Sequence, residues 1–237
     1  MTTTGTALFN IDLSEIIEEA FERAGSELRS GYDFKTARRS LNLLLIEWGN
    51  RGINLWTVEE GQIVLNTGVA TYPLPVDTVD LLDHVIRTGS GQNQSDITIS
   101  RISGSTYSTI PDKNALGKPI QVWINRQSGA TTPTGVASPT INVWPTPQSP
   151  GSQYTFVYWR LRRMQDAGDA DNTQDIPFRF LPALIAGLAY YLSMKLPGVD
   201  MQRAVALKAV YDEQFDLAAQ EDREKASVRM VPRVAFI

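Results

Sequence analysis

The feature that most constrains this chain is an apolar stretch at residues 175–195. No charged side chain occurs between Phe180 and Met194, while Arg179 and Lys195 close the run at its two ends. The uncharged run is shorter than the roughly 18–20 residues that cross a bilayer. A helix that is apolar on nearly every side must be covered by other helices. The stretch therefore predicts the buried centre of a helical core, and we expect no membrane association.

The ends of this helix are marked by residues with defined helix-end preferences. Asp175 can serve as its N-cap, and Pro177 is tolerated in a first turn, where its missing N–H has no helical partner. Pro182 lies one to two turns further on, so it predicts either a kink or a later helix start. The sequence Leu196-Pro197-Gly198 predicts the end of the helix, because proline cannot continue the hydrogen-bond ladder.

Composition excludes several kinds of site. The chain has 237 residues, 42% of them hydrophobic, and a formal net charge of −4, which argues against a protein whose main role is to bind nucleic acid. It contains no cysteine, which excludes disulfides, thiolate chemistry and cysteine-based metal sites. The first ten residues have no basic segment followed by a long apolar run. We therefore expect no signal peptide, synthesis in the host cytoplasm, and no cofactor.

Amphipathic segments lie on both sides of a central region. Asp12 and Glu15 have the spacing of a capping box, and the first segment continues to about residue 28. Its apolar positions follow helical spacing: Leu13, Ile16, Ile17, Ala20, Phe21, Ala24 and Leu28. After a turn at residues 31–33, a second helix is predicted over about residues 34–48. Its predicted apolar face comprises Phe34, Ala37, Leu41, Leu44, Leu45 and Trp48, widened by Leu43 and Ile46.

A final helix is predicted over about residues 200–222, with Asp200 as its N-cap. Its predicted apolar stripe comprises Met201, Ala204, Val205, Tyr211, Phe215 and Ala218. We expect this helix to pack with the apolar segment and the two N-terminal helices, because amphipathic helices gain most of their stability from tertiary packing. The simplest arrangement of the four is a four-helix bundle.

The central region changes to the two-residue period of β-strands. Short β-rich runs separated by turn residues predict a small antiparallel sandwich or barrel. These runs are residues 62–66, 71–74, 79–87, 96–102, 120–125, 140–144 and 154–161. The chain is therefore predicted to be α+β, with a helical bundle (residues 11–56 and 175–222), an inserted β lobe (57–164) and an extended C-terminal tail (223–237).

Few features of the sequence point to catalytic chemistry. His84, the only histidine, lies in a predicted strand and has the pKa range of a general base, but a structural role is favoured. The sequence has no nucleophile-elbow motif and no glycine-rich phosphate loop. Asp77, Asp80 and Asp83 would scatter over both faces of a strand, which is poor geometry for a metal. We predict neither a catalytic residue nor a metal site.

The acidic run at residues 166–172 resembles a calcium loop only in composition. Its glycine is misplaced, and Pro177 stands where an EF-hand requires glutamate. We interpret it as a solvated acidic loop.

Two basic clusters allow two interpretations. Lys35, Arg38 and Arg39, followed by Arg51, fall on the second predicted helix, and Arg160, Arg162 and Arg163 end the last predicted strand. The first cluster could contact DNA phosphates or another subunit. The favoured alternative is an exposed helix face that pairs with acids such as those of the first helix.

The last fifteen residues have no helical period and no place in a bundle. An apolar tail exposed to water would be a liability, so docking into a neighbouring polypeptide explains it better than packing on its own subunit. The residues expected to dock are Arg229, Met230, Val231, Pro232, Arg233, Val234, Phe236 and Ile237.

Several segments together resemble the head-to-tail adaptor, or connector, proteins of tailed bacteriophages, the group that includes tail tubular protein A. The resemblance rests on LNLLLIEWGNRGINLW at 41–56, VDLLDHVIR at 79–87, DIPFRFLP at 175–182, GLAYYL at 187–192 and EDREKASVR at 221–229. It implies a non-enzymatic virion protein of the head–tail junction, made of a helical bundle that carries a β lobe. Such proteins assemble as rings, commonly of twelve copies, beneath the portal protein.

The resemblance also implies partners. The ring would prolong the channel through which double-stranded DNA passes during ejection, and would offer a platform to a tail nozzle or tail tube protein. Residues 223–237 would form the portal-binding arm. Two other functions remain open at this point: a DNA-binding accessory protein that uses Arg38 and Arg39, and, less favoured, a cell-wall hydrolase that uses Glu47, Asp80 and Asp83.

Overall fold

The computed structural model describes residues 3–6, 9–52, 55–89, 91–127, 131–132, 135–148 and 154–223. This part of the chain divides into two compact units, one contiguous from Trp56 to Met164 and one formed by the segments before and after it. The helices in the described residues are α1 (Leu13–Ala24), α2 (Gly31–Arg51), α3 (Gly104–Ser108), α4 (Leu181–Ser193) and α5 (Met201–Glu221). Together with several sheets, they confirm the predicted α+β class.

The unit formed by the segments before Trp56 and after Met164 is called the helical unit here. The apolar stretch forms its centre. Most of the thirteen residues of α4 are buried, and α4 packs against α1, α2 and α5. The largest fully buried side chains around it are aromatic or aliphatic, and they include Phe21, Trp48 and Phe180. Burial of each such side chain contributes about 1.5–3 kcal/mol, so this contact set dominates the stability of the unit.

Pro182 predicted either a kink in the helix or a later helix start, and the structure has the later start. A short 3-10 turn at Phe178–Phe180 comes first, and α4 begins at Leu181 with Pro182 in its first turn. The N-cap prediction for Asp175 is wrong, because the residue at the N-cap of α4 is Phe180. The Asp175 carboxylate instead accepts a hydrogen bond from the Gln165 backbone N–H at 3.1 Å.

Capping boxes fix the starts of α1 and α2. Asp12 and Glu15 form the predicted box of α1. A second box was not predicted: the Ser30 hydroxyl accepts from the Asp33 N–H at 3.3 Å, and the Asp33 carboxylate accepts from the Ser30 N–H at 3.1 Å. The segment predicted as a turn at 31–33 is therefore the first turn of α2.

The end of α1 and part of two predicted stripes also differ from expectation. α1 ends at Ala24 and is capped by Gly25, whose φ of 86° is left-handed, so Leu28 lies beyond the helix. On α2, Leu43 and Ile46 are 49% and 47% exposed, because the buried face is centred on Leu41, Leu44 and Trp48. On α5, Met201 and Val205 are exposed rather than buried.

The unit from Trp56 to Met164 is built from short strands. They are β1 (Val58–Val64), β2 (Thr71–Pro73), β3 (Thr78–Thr88), β4 (Ser95–Thr98), β5 (Ser100–Ile102), β6 (Leu116–Gly117), β7 (Gln121–Asn125), β8 (Thr131–Thr132), β9 (Gly135–Val136), β10 (Thr140–Trp144), β11 (Thr146–Pro147) and β12 (Tyr154–Arg162). One sheet has the order β1-β12-β3-β4 and another has the order β2-β10-β7-β5.

Most strand pairs are antiparallel, as predicted, but β5 with β7 and β6 with β11 are parallel. The barrel alternative is wrong for the described residues. β1 and β4 are the edges of the first sheet and β2 and β5 are those of the second, so neither sheet closes on itself.

Buried side chains from both four-stranded sheets form a single hydrophobic cluster. The first sheet contributes Leu81, Ile86, Phe156 and Tyr158, and the second contributes Tyr72, Val122, Ile124, Ile141 and Val143. Phe156 lies opposite Ile86 in the register between β12 and β3. Tyr154, two residues before Phe156, packs partly buried against the same cluster, as the alternation of this strand predicts.

Candidate functional site

A polar network joins three helices of the helical unit at Glu47. The Glu47 carboxylate accepts hydrogen bonds from the hydroxyls of Tyr191 at 2.8 Å and Tyr211 at 3.2 Å. Arg51 donates to the same carboxylate from its Nε at 3.1 Å, and its guanidinium lies 4.2 Å from the ring centroid of Phe215. The network thus fixes α2 against both α4 and α5.

The network also sets the protonation states of its members. Partial burial by itself would raise the pKa of Glu47, but the hydrogen bonds from Tyr191, Arg51 and Tyr211 outweigh it, and the pKa is lowered. Burial, followed by the bond to Glu47, raises the pKa of Tyr191 to about 12. Glu47 is therefore held ionised and hydrogen-bonded, which suits a structural anchor rather than a general acid.

The end of α5, from which the C-terminal tail leaves, is anchored by a buried carboxylate. The Asp222 side chain is fully buried, forms an ion pair with Arg179, and accepts a hydrogen bond from the Leu55 N–H at 3.3 Å. An unpaired buried carboxylate would be strongly destabilising, so this pair ties the end of α5 to the segment before α4. The predicted arm residues, from Arg229 to Ile237, lie outside the described residues.

The first basic cluster lies on α2, and its members have different surroundings. Arg38 donates to the Gly168 carbonyl at 3.3 Å and pairs with Asp169 at 3.5 Å. Lys35 and Arg39 are exposed, and within the described residues neither has an ion-pair partner. The expected pairing with acids of α1 is not found for Arg38, which pairs with the loop after β12 instead.

The outward surface around Lys35 and Arg39 is partly apolar. Tyr32 is 76% exposed, and Leu43 and Ile46 are each about half exposed. These side chains recur at three- and four-residue intervals with the two basic residues, so all five share one side of α2. An exposed helix face with aromatic, aliphatic and basic side chains is typical of a protein-binding surface.

The second basic cluster is largely used within its own unit. Arg160 pairs with Glu59 at 2.7 Å and with Asp77 at 2.5 Å, and Arg162 pairs with Glu59 at 2.6 Å. Both arginine side chains are only 12% exposed. Their charges stabilise neighbouring strands, so these two residues are poorly placed to bind a phosphate backbone.

His84 is a buried side chain of β3. Its ring stacks on Phe156 with a centroid distance of 5.8 Å, and neither ring nitrogen has a hydrogen-bond partner within the described residues. Burial lowers the pKa of His84, and the opposing charge of Asp83 does not reverse this effect. The side chain is therefore neutral near pH 7.

Asp77, Asp80 and Asp83 have different surroundings. Asp77 pairs with Arg160, Asp80 pairs with Arg101 at 2.8 Å and with Arg126 at 3.3 Å, and Asp83 is exposed. Across the described residues, no group of three or more His, Asp or Glu side chains is placed to hold a metal ion.

The acidic loop at 166–172 has a role that its composition did not predict. The Asn172 and Ala170 carbonyls accept hydrogen bonds from the Leu13 and Ser14 N–H groups at 3.0 and 3.1 Å. The Ala167 N–H donates to Asn42 at 2.8 Å. The loop therefore satisfies the first turn of α1 and docks onto α2, so the prediction of a solvated loop is wrong for its backbone.

Two of the grooves in the described part of the helical unit differ in their lining. One, with a volume of about 410 Å³, is mainly apolar and is lined by residues such as Tyr190, Met194 and Val205. The other, about 680 Å³, is more polar and includes Glu22, Glu27 and Arg29. Among the described helices, none is both long enough and apolar enough to cross a bilayer.

A comparison with protein-family models shows which family the chain belongs to. The profile of the SU10 adaptor protein family matches residues 11–233, which is nearly the whole chain. The chain belongs to this family. The match confirms the resemblance to head-to-tail adaptors of bacteriophages, and this adaptor is therefore a structural component of a phage virion. No curated protein matches the chain.

Sequence reasoning missed one surface of this adaptor. The side of α5 that faces away from its core carries Val210, Glu213, Asp216 and Leu217, all of them exposed. The sequence contains a signal for this surface, because residues 206, 209, 213, 216 and 220 recur at the three- and four-residue intervals of one helix face. The signal is weak because these positions are small or polar, whereas the apolar stripe on the opposite side dominates the pattern of this helix.

Proposed function

We propose that this adaptor forms a ring, commonly of twelve copies, that joins the portal to a tail nozzle or tail tube protein. The ring prolongs the channel through which double-stranded DNA leaves the head, at the head–tail junction. The family match carries this proposal. The α1, α2, α4 and α5 helices act as a four-helix bundle, and the two four-stranded sheets form the sandwich of the inserted lobe.

Residues 223–237 are the arm that binds the portal in this proposal. Apolar positions such as Met230, Val234 and Phe236 supply the docking surface, while Arg229 and Arg233 supply charge. The anchor at Asp222 supports this role, because a fixed root lowers the conformational entropy that the arm loses on binding. A fully extended segment of fifteen residues spans at most about 54 Å, enough to reach another polypeptide.

Negative-stain images of the adaptor mixed with its portal test the proposal. We expect rings on the portal with the full chain and none after deletion of residues 224–237. A Ser227→Ala variant is the matched control in the same segment and should assemble as the full chain does. Full-length protein that forms no ring and does not bind the portal would contradict the proposal.

A DNA-binding accessory function is the second candidate, supported by Lys35 and Arg39, which have no ion-pair partner in the described part of the chain. A net charge of −4 and the engagement of Arg38, Arg160 and Arg162 by carboxylates argue against it. Retention of duplex DNA that falls steeply with salt and is lost in Lys35→Glu/Arg39→Glu would favour this candidate.

A further inference from the structure

The outward face of α5 is an amphipathic surface that no other described element of its unit covers. Ala204, Tyr211, Phe215 and Ala218 point into the core of the unit and are buried. On the other side of the helix, the exposed positions follow a regular three- and four-residue spacing: Gln202, Ala206, Ala209, Glu213, Asp216 and Gln220. Val210 and Leu217 flank this row and are 42% and 55% exposed.

The charges of this α5 face are available for a partner. Within the described residues, neither Glu213 nor Asp216 has an ion-pair partner, whereas the nearby Asp212 is bound to Lys208 at 2.6 Å. Two such carboxylates beside exposed apolar side chains form an acidic and apolar surface. A surface of this kind is complementary in charge to a basic and apolar one.

The outward face of α2 has the matching composition. Lys35 and Arg39 supply two positive charges without ion-pair partners among the described residues, and Tyr32, Leu43 and Ile46 supply exposed apolar area. Along α2 the order is aromatic, basic, then aliphatic. From the C-terminal end of α5 toward its N-terminal end, Gln220 comes first and the acidic side chains of Asp216 and Glu213 follow. The small or aliphatic side chains at positions 210, 209 and 206 come last.

We propose that the α2 face of one copy packs antiparallel against the α5 face of the neighbouring copy in the ring. In this register Lys35 meets Asp216, Arg39 meets Glu213, and Leu43 with Ile46 meets the row at 206–210. Both helices have 21 residues, which gives each a length of about 31 Å. Rows spaced by three and four residues interdigitate in this way, and antiparallel helix dipoles add a small favourable term.

The two faces are different surfaces, so their contact is heterologous. Contacts of this kind generate closed rings when the rotation between copies closes, and they leave no face unpaired. The inference rests on the proposed ring and specifies which surfaces build it. It also assigns Lys35 and Arg39 to subunit contact rather than to DNA.

Charge reversal tests the pairing. Lys35→Glu/Arg39→Glu makes both faces acidic, and Glu213→Lys/Asp216→Lys makes both basic. Each variant alone should associate at least about tenfold more weakly than the native protein, because like charges meet across the contact. An equimolar mixture of the two variants should assemble again, as should a chain that carries all four substitutions. Mass measurement of assemblies, with and without portal, reads out each case.

Controls separate this inference from the proposed function. Arg29→Glu with Glu18→Lys reverses exposed charges elsewhere in the unit and should leave assembly unchanged, and circular dichroism verifies that every variant is folded. Both reversed variants should still bind the portal through the arm, whereas deletion of residues 224–237 should not. Native rings that persist unchanged in both reversed variants would overturn the inference and leave the ring standing. Absence of any native ring would overturn the proposed function itself.

Loss of assembly without rescue in the mixture would also overturn the pairing. In that case duplex DNA retention by the native protein, lost in Lys35→Glu/Arg39→Glu alone, would assign the α2 face to nucleic acid.

Discussion

At the scale of single residues, Glu47 carries an unusual share of the contacts between helices. Its carboxylate accepts from Tyr191 on α4 and Tyr211 on α5, while Arg51 on its own helix pairs with it. Tyr211 in turn accepts a hydrogen bond from the buried Trp48 indole at 2.8 Å. Hydrogen bonds to a charged group contribute about 1.5–3 kcal/mol each when they are well shielded, so this residue matters more than its surface position suggests.

Replacement of Glu47 by glutamine should destabilise the adaptor by about 1–3 kcal/mol, because Arg51 and two tyrosine hydroxyls lose an ionised acceptor. Urea unfolding followed by circular dichroism measures the change. Glu19→Gln is the matched control, since Glu19 pairs with Arg23 at the same i,i+4 spacing on an exposed face. Glu19→Gln should lower the free energy of unfolding by less than about 0.5 kcal/mol. Equal effects of the two substitutions would show that the network adds nothing to an ordinary surface pair.

His84 makes stability depend on pH near neutrality. Burial lowers its pKa in the folded state below the ordinary value of 6.5, so the unfolded chain binds a proton more readily than the folded one. The stability that burial of the neutral His84 ring contributes is fully present above about pH 6.5. It is lost as the pH falls toward the lowered pKa of His84 in the folded state.

His84→Leu should remove this dependence. We expect the free energy of unfolding of the variant to vary less between about pH 7 and pH 5 than that of the native protein. Near pH 7 the variant should be as stable or slightly more stable, since it replaces a buried polar ring with an apolar side chain of similar size. Denaturant titrations at several pH values test both expectations, and parallel curves for the two proteins would contradict the first.

At the scale of elements, Gly187 sets how closely α4 approaches its neighbours. A Cβ placed there would lie 2.9 Å from Leu44 Cδ2 on α2 and 2.9 Å from the Tyr211 ring on α5. Alanine normally stabilises a helix by about 1 kcal/mol relative to glycine. Here we expect Gly187→Ala to destabilise the protein by about 1–3 kcal/mol, because the core is overpacked.

Gly49→Ala is the control for this prediction. Gly49 lies in α2, and a Cβ added there would meet no atom of the described residues within 4 Å, so only the helix propensity changes. We expect it to stabilise the protein by about 0.5–1 kcal/mol. Thermal unfolding of the two variants should therefore shift in opposite directions, and shifts of the same sign would contradict the packing argument.

The elements show what the sequence could and could not predict. α4 was predictable because an uncharged run of its length has one physical solution in water, burial among other helices. Leu43 and Ile46 were placed wrongly because an apolar side chain on a helix does not reveal whether a partner covers that side. α3 was missed because Gly104–Ser108 has no apolar period, and only the Ser103 cap marks its start.

The candidate site was predictable to a smaller extent. Lys35, Arg38 and Arg39 were assigned to one helix correctly, but their surroundings depend on the loop at 166–172, about 130 residues away in the chain. No local pattern encodes a contact of that separation. The acidic face of α5 is likewise meaningful only beside the basic face of α2, and each of them alone resembles an ordinary solvated surface.

At the scale of the whole molecule, the two units differ in how they use the chain. The unit from Trp56 to Met164 is continuous, and its hydrophobic cluster consists of its own residues. The helical unit needs segments from both ends, since α4 supplies the surface that α1 and α2 cover.

A fragment of residues 56–164 should therefore fold by itself, whereas a fragment of residues 1–55 should not. We expect cooperative unfolding and β-type circular dichroism from the first, and little helix from the second, because α1 and α2 lose the apolar surface of α4 and most helical stability comes from tertiary packing. Addition of a fragment of residues 165–223 to the second should restore helix. Stable helix in residues 1–55 alone would contradict this view of the helical unit.

The carbonyl groups of Ala170 and Asn172, which complete the first turn of α1, determine when α1 can fold during synthesis. As the chain leaves the ribosome, α1 emerges first, yet the groups that satisfy its opening N–H donors are made some 160 residues later. We expect the earliest part of this adaptor to remain sensitive to protease on stalled ribosomes until α4 has emerged, while the middle of the chain is already protected. The N-terminal helices would thus be translated first and folded last.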